Sequence, residues 1–219
     1  MNGLTIREPE MDGLVNAILG GDAAAAVAEA ESLKASGVGI ECIVVNGIES
    51  AMSALDAKCT LEQFNLLEIM LAGRAVTEVM KRLVTAGDPN LGRKGTVVTA
   101  TLEGDVHDLG KNIHRNILSS KGYRVIDCGK DCPLDRLIDT VERERPLAVA
   151  VSGLITPVIP LVRQVKKRLT ERGLASVKVI AGGAALKQSS SERLNVDYVA
   201  ESAFDSLHFL DSLPRGGKS

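Results

Sequence analysis

The sequence predicts an α/β protein in two parts: a four-helix bundle, then a five-stranded parallel sheet covered by helices on both faces. Three observations carry the prediction. Apolar residues recur at helical spacing as far as about residue 86. A stretch rich in Gly, Pro, Asn and charge, G-D-P-N-L-G-R-K-G over 87–95, then breaks the pattern and reads as a linker. Beyond it, short β-branched runs alternate with amphipathic helical segments.

In the first part, 11–19 has apolar residues at 11, 14, 15, 18 and 19 and stops at Gly20-Gly21. Asp22 is the N-cap candidate for an Ala-rich helix that ends near Gly37. A third segment, about 39–57, sets Ile40, Ile43, Val44, Ile48, Met52 and Leu55 near helical spacing. Thr60 opens a capping box with Gln63 for a fourth helix reaching about Ala86. Its broad apolar face is Phe64, Leu67, Leu71, Ala75, Val79 and Leu83. Short connections between the four make an antiparallel bundle.

In the second part, strands are expected at 96–102, 123–127, 147–152, 177–181 and 196–200. Helices are expected at 110–120, 133–145, 158–172, 189–194 and 204–213. Five such units fit a Rossmann-like (flavodoxin-like) domain. The expected division is therefore 1–88 for the bundle, 89–213 for the sheet domain and 214–219 for a disordered tail.

Composition narrows the function. Aromatic residues make up only 2% of the chain and Trp is absent, so Ala, Val, Ile and Leu build the core. The net charge is -2 and no block of Lys or Arg occurs, which argues against nucleic acid and against an acidic membrane surface as partners. No apolar run reaches the length of a membrane span, and 1–10 lacks a signal peptide's apolar stretch, so a cytoplasmic protein is expected. Cys42, Cys59, Cys128 and Cys132 form no C-x-x-C pair and have no matching His. They read as reduced thiols, and structural zinc is disfavoured.

Ligands of such sheets sit at the carboxyl ends of the strands. Three loops there carry unusual chemistry: G-D-V-H-D-L-G (104–110), S-G-L-I-T-P (152–157) and A-G-G-A (181–184). The first fails as a P-loop, because Gly104 and Gly110 are one residue too far apart and Lys111 is followed by Asn112. It fails as G-x-G-x-x-G in either register. What remains is His107 at the mouth of the sheet, with Asp105 two residues before it and Asp108 one after. A carboxylate that accepts one ring N–H leaves the other imidazole nitrogen as a strong ligand; the alternative is a solvated turn histidine. His114 and His208 are read as having no functional role. A lone histidine suits a metal whose other ligands come from a macrocycle.

D-V-H-D-L-G resembles D-x-H-x-x-G, the motif of cobalamin-binding domains that hold their cofactor base-off and histidine-on. S-G-L over 152–154 resembles the same family's S-x-L, and Gly182-Gly183 its G-G pair, in matching order and spacing. The whole chain is similar to the corrinoid proteins of methyltransferase systems and to the cobalamin module of methionine synthase, where a four-helix cap precedes the Rossmann-like domain.

The resemblance implies that His107 is the lower axial ligand to cobalt. Asp105 would hydrogen-bond His107 and set its basicity, with protonation of the pair following the cobalt oxidation state. Gly104, Val106, Asp108 and Leu109 would join them in the cofactor-binding loop. Gly110, Ser152, Gly153, Gly182 and Gly183 would line a slot for the dimethylbenzimidazole tail. Ser152 would meet the base and Thr156 the corrin's edge, and Leu154 completes the S-G-L motif. Gly122, Glu201 and Ser202 are looser candidates, and Phe64 and Asn65 would contribute from the cap. Two departures stand out. Val158 occupies the position of a serine that extends the His–Asp relay in methionine synthase. Asn65 occupies the position of the Phe that shields the methyl group in many relatives, so shielding would fall to Phe64, Leu67 or Leu71.

The function so implied is that of a methyl-carrying corrinoid subunit rather than a complete enzyme. Co(I) would take a methyl group from a substrate held by one methyltransferase. Methyl-Co(III), as in methylcobalamin, would pass it to a second, with tetrahydrofolate as acceptor, and a reductive activator would restore oxidised Co(II). The linker at 87–95 is the expected hinge. Rival readings are the small subunit of an adenosylcobalamin mutase, which lacks such a cap, and a cobalamin sensor, which usually adds a DNA-binding domain. Methanol, methylamines, methoxylated aromatics and betaines all feed similar carriers. The segment F-N-L-L-E-I-M-L-A-G-R-A-V (64–76) has a likeness to O-demethylase carriers and points to methoxylated aromatics.

Overall fold

A computed structural model describes residues 11–59, 66–84 and 94–214. The chain divides into two compact units, 1–85 and 86–219.

The first unit is helical. α1 (Asp12–Leu19) and α2 (Ala23–Ala35) are followed by α3 (Ile40–Cys42), which runs through a π-helical stretch, Ile43–Glu49, into α4 (Ser50–Cys59); α5 is Leu66–Leu83. The Asp22 carboxylate caps α2, accepting the Ala25 N–H at 2.9 Å. α2 makes its broadest contact with α5, and its inward residues there are the small Ala26 and Ala30, both fully buried. The third segment departs from the plain helix expected. Its middle, Ile43–Glu49, is π-helical, and Ile43, Val44, Gly47 and Ile48 of that stretch are buried. Gly47 is required there: a Cβ would lie 2.6 Å from Leu14 Cδ2.

α5 buries Ala72, Ala75, Val76, Val79, Met80 and Leu83 as expected of an amphipathic helix. Leu67 lies off this stripe and is exposed, as is Met70. Leu71 packs on the α1–α2 turn, where Gly21 has φ +71° and a Cβ would fall 2.5 Å from Leu71 Cβ. The capping box of Thr60 and Gln63 lies outside the described residues, as do Phe64 and Asn65.

The second unit alternates β1 (Thr96–Thr101), α6 (Leu109–Ser120), β2 (Arg124–Asp127), α7 (Leu134–Glu144), β3 (Ala148–Ser152), a 3-10 turn (Thr156–Val158), α8 (Ile159–Glu171), β4 (Lys178–Gly182), α9 (Ser191–Leu194), β5 (Tyr198–Ala200) and α10 (Ala203–Ser212). All strands are parallel, in the order β2-β1-β3-β4-β5. This is the flavodoxin-like order, and it reverses direction at β1 and β3, where ligands of such sheets bind.

One face of the sheet packs Val98, Ala100, Val149, Val151, Val179 and Ala181 against α7 and α8. Alternation turns the intervening residues to the other face, beneath α6 and α10. At the carboxyl edge of that face the register aligns Thr101, Ser152, Gly182 and Ala200 in one row. Four small residues side by side keep the sheet surface low there. Among the described residues no helix is long and apolar enough to cross a membrane.

Candidate functional site

The His107 loop leaves β1 through Glu103 and Gly104 and enters α6 at Leu109. Gly104 has φ +89°, a conformation glycine adopts without strain, and its N–H donates to Asp131 Oδ1 at 2.8 Å. Asp131 N–H in turn donates to the Asp105 carbonyl at 3.0 Å. Glu103 N–H donates to the Cys132 carbonyl at 2.9 Å, and Cys132 N–H to that of Thr101 at 3.0 Å. The loop after β2 therefore braces the loop after β1. Asp131 and Cys132 were missed by the sequence reading, since the signal is only a polar turn before Pro133 until β1 and β2 are known to be neighbours.

Inside this brace the Asp105 side chain is fully buried. Its Oδ1 accepts the His107 backbone N–H at 2.9 Å and lies 2.7 Å from His107 Nδ1. Its Oδ2 accepts the Leu154 N–H at 2.7 Å, across from the loop after β3. Burial pushes the Asp105 carboxyl up, but the His107 and Leu154 N–H groups and the imidazole outweigh it and hold it below the ordinary carboxylate range. An ionised carboxylate only accepts, so the imidazole carries its proton on Nδ1. Nε2 has no partner among the described residues, on a side chain that is 51% exposed. Val106 and Leu154, beside this histidine, are the exposed large apolar residues of the second unit's described part.

Lys111 turns away from the loop mouth. It is buried, and its Nζ binds Asp127 at 2.8 and 2.7 Å and Asn112 Oδ1 at 3.0 Å; Arg115 adds a contact to Asp127 at 3.0 Å. Burial raises the Asp127 carboxyl, and Lys111, the Gly129 N–H and Arg115 together bring it below its usual value. This cluster pins the start of α6 to the end of β2.

The other expected residues divide clearly. Gly110, in the first turn of α6, lies over the sheet, where a Cβ would come 4.0 Å from Ser152 Oγ. Gly182 also has room, its Cβ meeting Ala200 only at 3.7 Å. Gly153 and Gly183 have a packing reason. A Cβ on Gly153 would meet Val158 Cγ2 at 2.9 Å, and Gly183, at φ +100°, would meet the Gly153 carbonyl at 2.6 Å. Val158 is therefore a core residue under the loop, which is why the relay position holds no hydroxyl: it faces inward. Thr156 is exposed, Asp108 and Leu109 half-buried. The Ser202 hydroxyl caps α10, accepting the Asp205 N–H at 3.0 Å, with exposed Glu201 beside it. Gly122 is brought nowhere near: it turns α6 into the amino end of β2, at the opposite end of the sheet from these loops.

One observation points to a ligand: Thr99 Oγ1, Thr101 Oγ1, His114 Nε2 and Ser206 Oγ are buried without a hydrogen-bond partner among the described residues. All four belong to the α6/α10 side of the sheet: Thr99 and Thr101 by strand alternation, His114 one turn beyond Gly110 on α6, Ser206 on α10. Each such atom costs about 1–3 kcal/mol unless something binds it. His107 Nε2 and these buried atoms together fit a group that brings a metal and a polar appendage.

Comparison with known proteins agrees. Residues 95–207 match the family model described as the B12 binding domain. The chain is 31% identical over 169 residues to dimethylamine corrinoid protein 1 of Methanosarcina acetivorans, spanning 75% of this chain and 79% of that protein. It is 28% identical over 177 residues to the trimethylamine corrinoid protein of Methanosarcina barkeri, spanning 79% and 82%. The solved structure of the Methanosarcina barkeri monomethylamine corrinoid protein superposes with a TM-score of 0.78 at 25% identity, covering 93% of this chain and 98% of that one. With the histidine loop, the sheet order and these likenesses together, the chain belongs to the corrinoid proteins of methyltransferase systems, methyl carriers built on a B12 binding domain.

Proposed function

We propose that this chain holds its corrinoid base-off and histidine-on, with His107 Nε2 as the lower axial ligand to cobalt, and carries a methyl group between two methyltransferases. The observation that carries this reading is the 2.7 Å contact between His107 Nδ1 and a buried, ionised Asp105. When bound, the corrinoid supplies a cobalt centre that accepts a methyl group in its reduced state and yields it to an acceptor.

The chain's own residues do the rest. Asp105 fixes the imidazole's tautomer and orientation and raises the basicity of Nε2. The proton shared between Nδ1 and Oδ1 moves toward Asp105 or toward the ring as the demand on Nε2 changes. The relay ends there, because Oδ2 is held by the Leu154 N–H and Val158 is in the core. Val106 and Leu154 offer apolar surface beside the imidazole for the underside of a macrocycle. Gly110, Ser152, Gly182 and Gly183 line the slot for the nucleotide tail, with Ser152 on its base; Gly104, Asp108, Leu109, Gly153 and Thr156 shape the surrounding loops.

By family resemblance residues 1–88 are the cap domain and 89–213 the binding domain. Of the cap residues considered for shielding, Leu67 presents an exposed apolar side chain, whereas Leu71 packs on Gly21 within the bundle. The relatives named for dimethylamine and trimethylamine favour a methylamine as donor over a methoxylated aromatic. Tetrahydrofolate as acceptor and a reductive activator complete the cycle by family resemblance.

The test is reconstitution with hydroxocobalamin, comparing visible spectra of the wild type and His107→Ala. Retained corrin whose spectrum changes on loss of His107 is the expected result. A wild type that retains no corrin, or a spectrum indifferent to the substitution, would refute the reading.

A further inference from the structure

Cys128 and Cys132 sit at the two ends of the turn that braces the His107 loop. Both are free thiols, 4% and 0% exposed, and both belong to the core packed against α7 and α8. Gly129 at φ +84° and Asp131 at φ +50° curl the chain between them. Thr101 clasps both sides of the curl: its N–H donates to the Gly129 carbonyl at 3.0 Å, and its carbonyl accepts the Cys132 N–H at 3.0 Å. The two side chains are thereby turned into one core cluster, where the thiols hydrogen-bond each other. The Pro133 carbonyl, 3.6 Å from Cys132 Sγ, is a second acceptor for that thiol.

The pair is asymmetric. The hydrogen bond from Cys132 outweighs burial and, with Thr140 and Arg136 and against Asp127, brings the Cys128 thiol from its ordinary 9.0 down to about 7. The same bond and burial push the Cys132 thiol up, so it keeps its proton. Access is asymmetric too. Cys128, with Asp127, Arg136, Asp139 and Thr140, lines a cleft of about 460 Å³ along the edge strand β2, whereas Cys132 is fully buried. A partly ionised thiol lining a cleft, backed by a protonated one, lets a small oxidant meet the first sulfur and the second sulfur resolve the product.

We propose that Cys128 and Cys132 are a modification site for hydroperoxides, oxidised to an intramolecular disulfide that loosens the brace on the His107 loop. Cys128 Sγ attacks the terminal peroxide oxygen and breaks the O–O bond, giving a sulfenic acid and releasing an alcohol, or water from hydrogen peroxide. Cys132 Sγ then attacks that sulfur; the S–S bond forms, and hydroxide leaves with the Cys132 proton as water. The two thiols lose two electrons in all, and the hydroperoxide gains them. A bond between these sulfurs draws the two backbones into the narrow geometry of a disulfide. Those backbones are the brace: Cys132 is bonded to Thr101 and Glu103, and Asp131 to the Gly104 N–H and the Asp105 carbonyl. The His107 loop therefore gives up part of its hydrogen bonding when the pair is oxidised. No step depends on the ligand that the loop holds.

The experiment treats the full-length apoprotein with hydrogen peroxide in modest excess and follows each cysteine by peptide mass mapping. The expected product is a Cys128–Cys132 disulfide, formed before Cys42 or Cys59 is modified and reversed by a thiol reductant. In Cys132→Ser, Cys128 should stop at the sulfenic acid and be trapped by dimedone; in Cys128→Ala, Cys132 should stay a thiol. The wild-type map decides by itself should either variant fail to fold. Hydrogen exchange reports the brace. Amides over 103–105 should exchange about tenfold faster in the oxidised wild type than in the reduced, the change that loss of one hydrogen bond of ordinary net strength gives. Peroxide should leave exchange there unchanged in Cys128→Ala. A wild type in which Cys42 or Cys59 oxidises while Cys128 and Cys132 remain thiols would overturn the proposal, as would a disulfide that leaves exchange in the loop unchanged. Neither result touches corrinoid binding, which the hydroxocobalamin spectra test separately.

Discussion

His114 and Asp105 show how differently one sheet edge treats two ionisable side chains. Asp105 is buried but receives three donors, and it stays ionised. His114 is buried at Nε2 without any, and burial alone pulls it to about 4. Linkage then predicts the pH dependence of stability. In the unfolded chain His114 takes up a proton below its ordinary value of 6.5, whereas the fold refuses it until about 4. The fold therefore loses stability as pH falls between those values, by up to roughly 3 kcal/mol if nothing rearranges. Carboxylates held low, such as Asp105 and Asp127, lose their contribution only below their ordinary value of 3.8. Urea denaturation of the apoprotein at a series of pH values should accordingly show a decline from 6.5 to 4 that His114→Leu flattens. A decline unchanged in the variant would place its origin elsewhere.

At the scale of elements, the His107 loop is held from two sides. The turn after β2 hydrogen-bonds it along Thr101, Glu103, Gly104 and Asp105, and α6 is fastened by Lys111 to Asp127 at the end of that same strand. Lys111→Met should leave a half-buried carboxylate with Arg115 and the Gly129 N–H as its remaining partners, and destabilise the protein by roughly 3 kcal/mol. Replacing Asp127 by Leu in the same chain should recover part of the loss, as a double-mutant cycle by thermal denaturation would show. Sequence alone gave Lys111 a different meaning, as a failed phosphate-loop lysine. The spacing of Lys111 and Asp127 says nothing of their contact until β1 and β2 pair.

Across the whole molecule, the sheet domain carries its core within itself. The residues packed against α7 and α8 all fall between 98 and 196, and the B12 binding domain match spans 95–207. Expressed alone, residues 86–219 should fold cooperatively and take up hydroxocobalamin, measured by calorimetry and by the visible spectrum; a fragment that stays unfolded would show that the helical unit is needed for stability. The sequence by itself determined the features that depend on neighbours along the chain: the switch from a helical to a strand–helix period near residue 87, five β–α units, the Asp22 cap, and the Asp105–His107 pair two residues apart. Only the tertiary structure decided what depends on strand order and facing. It set Thr101, Ser152, Gly182 and Ala200 in one row, turned Val158 into the core, brought the Leu154 N–H to Asp105, and left His114 Nε2, on α6, buried without a partner among the described residues. The physical reason is that register and face are properties of pairs of elements. They arise when residues tens of positions apart compete for the same buried surface, and no local pattern records which of them meet.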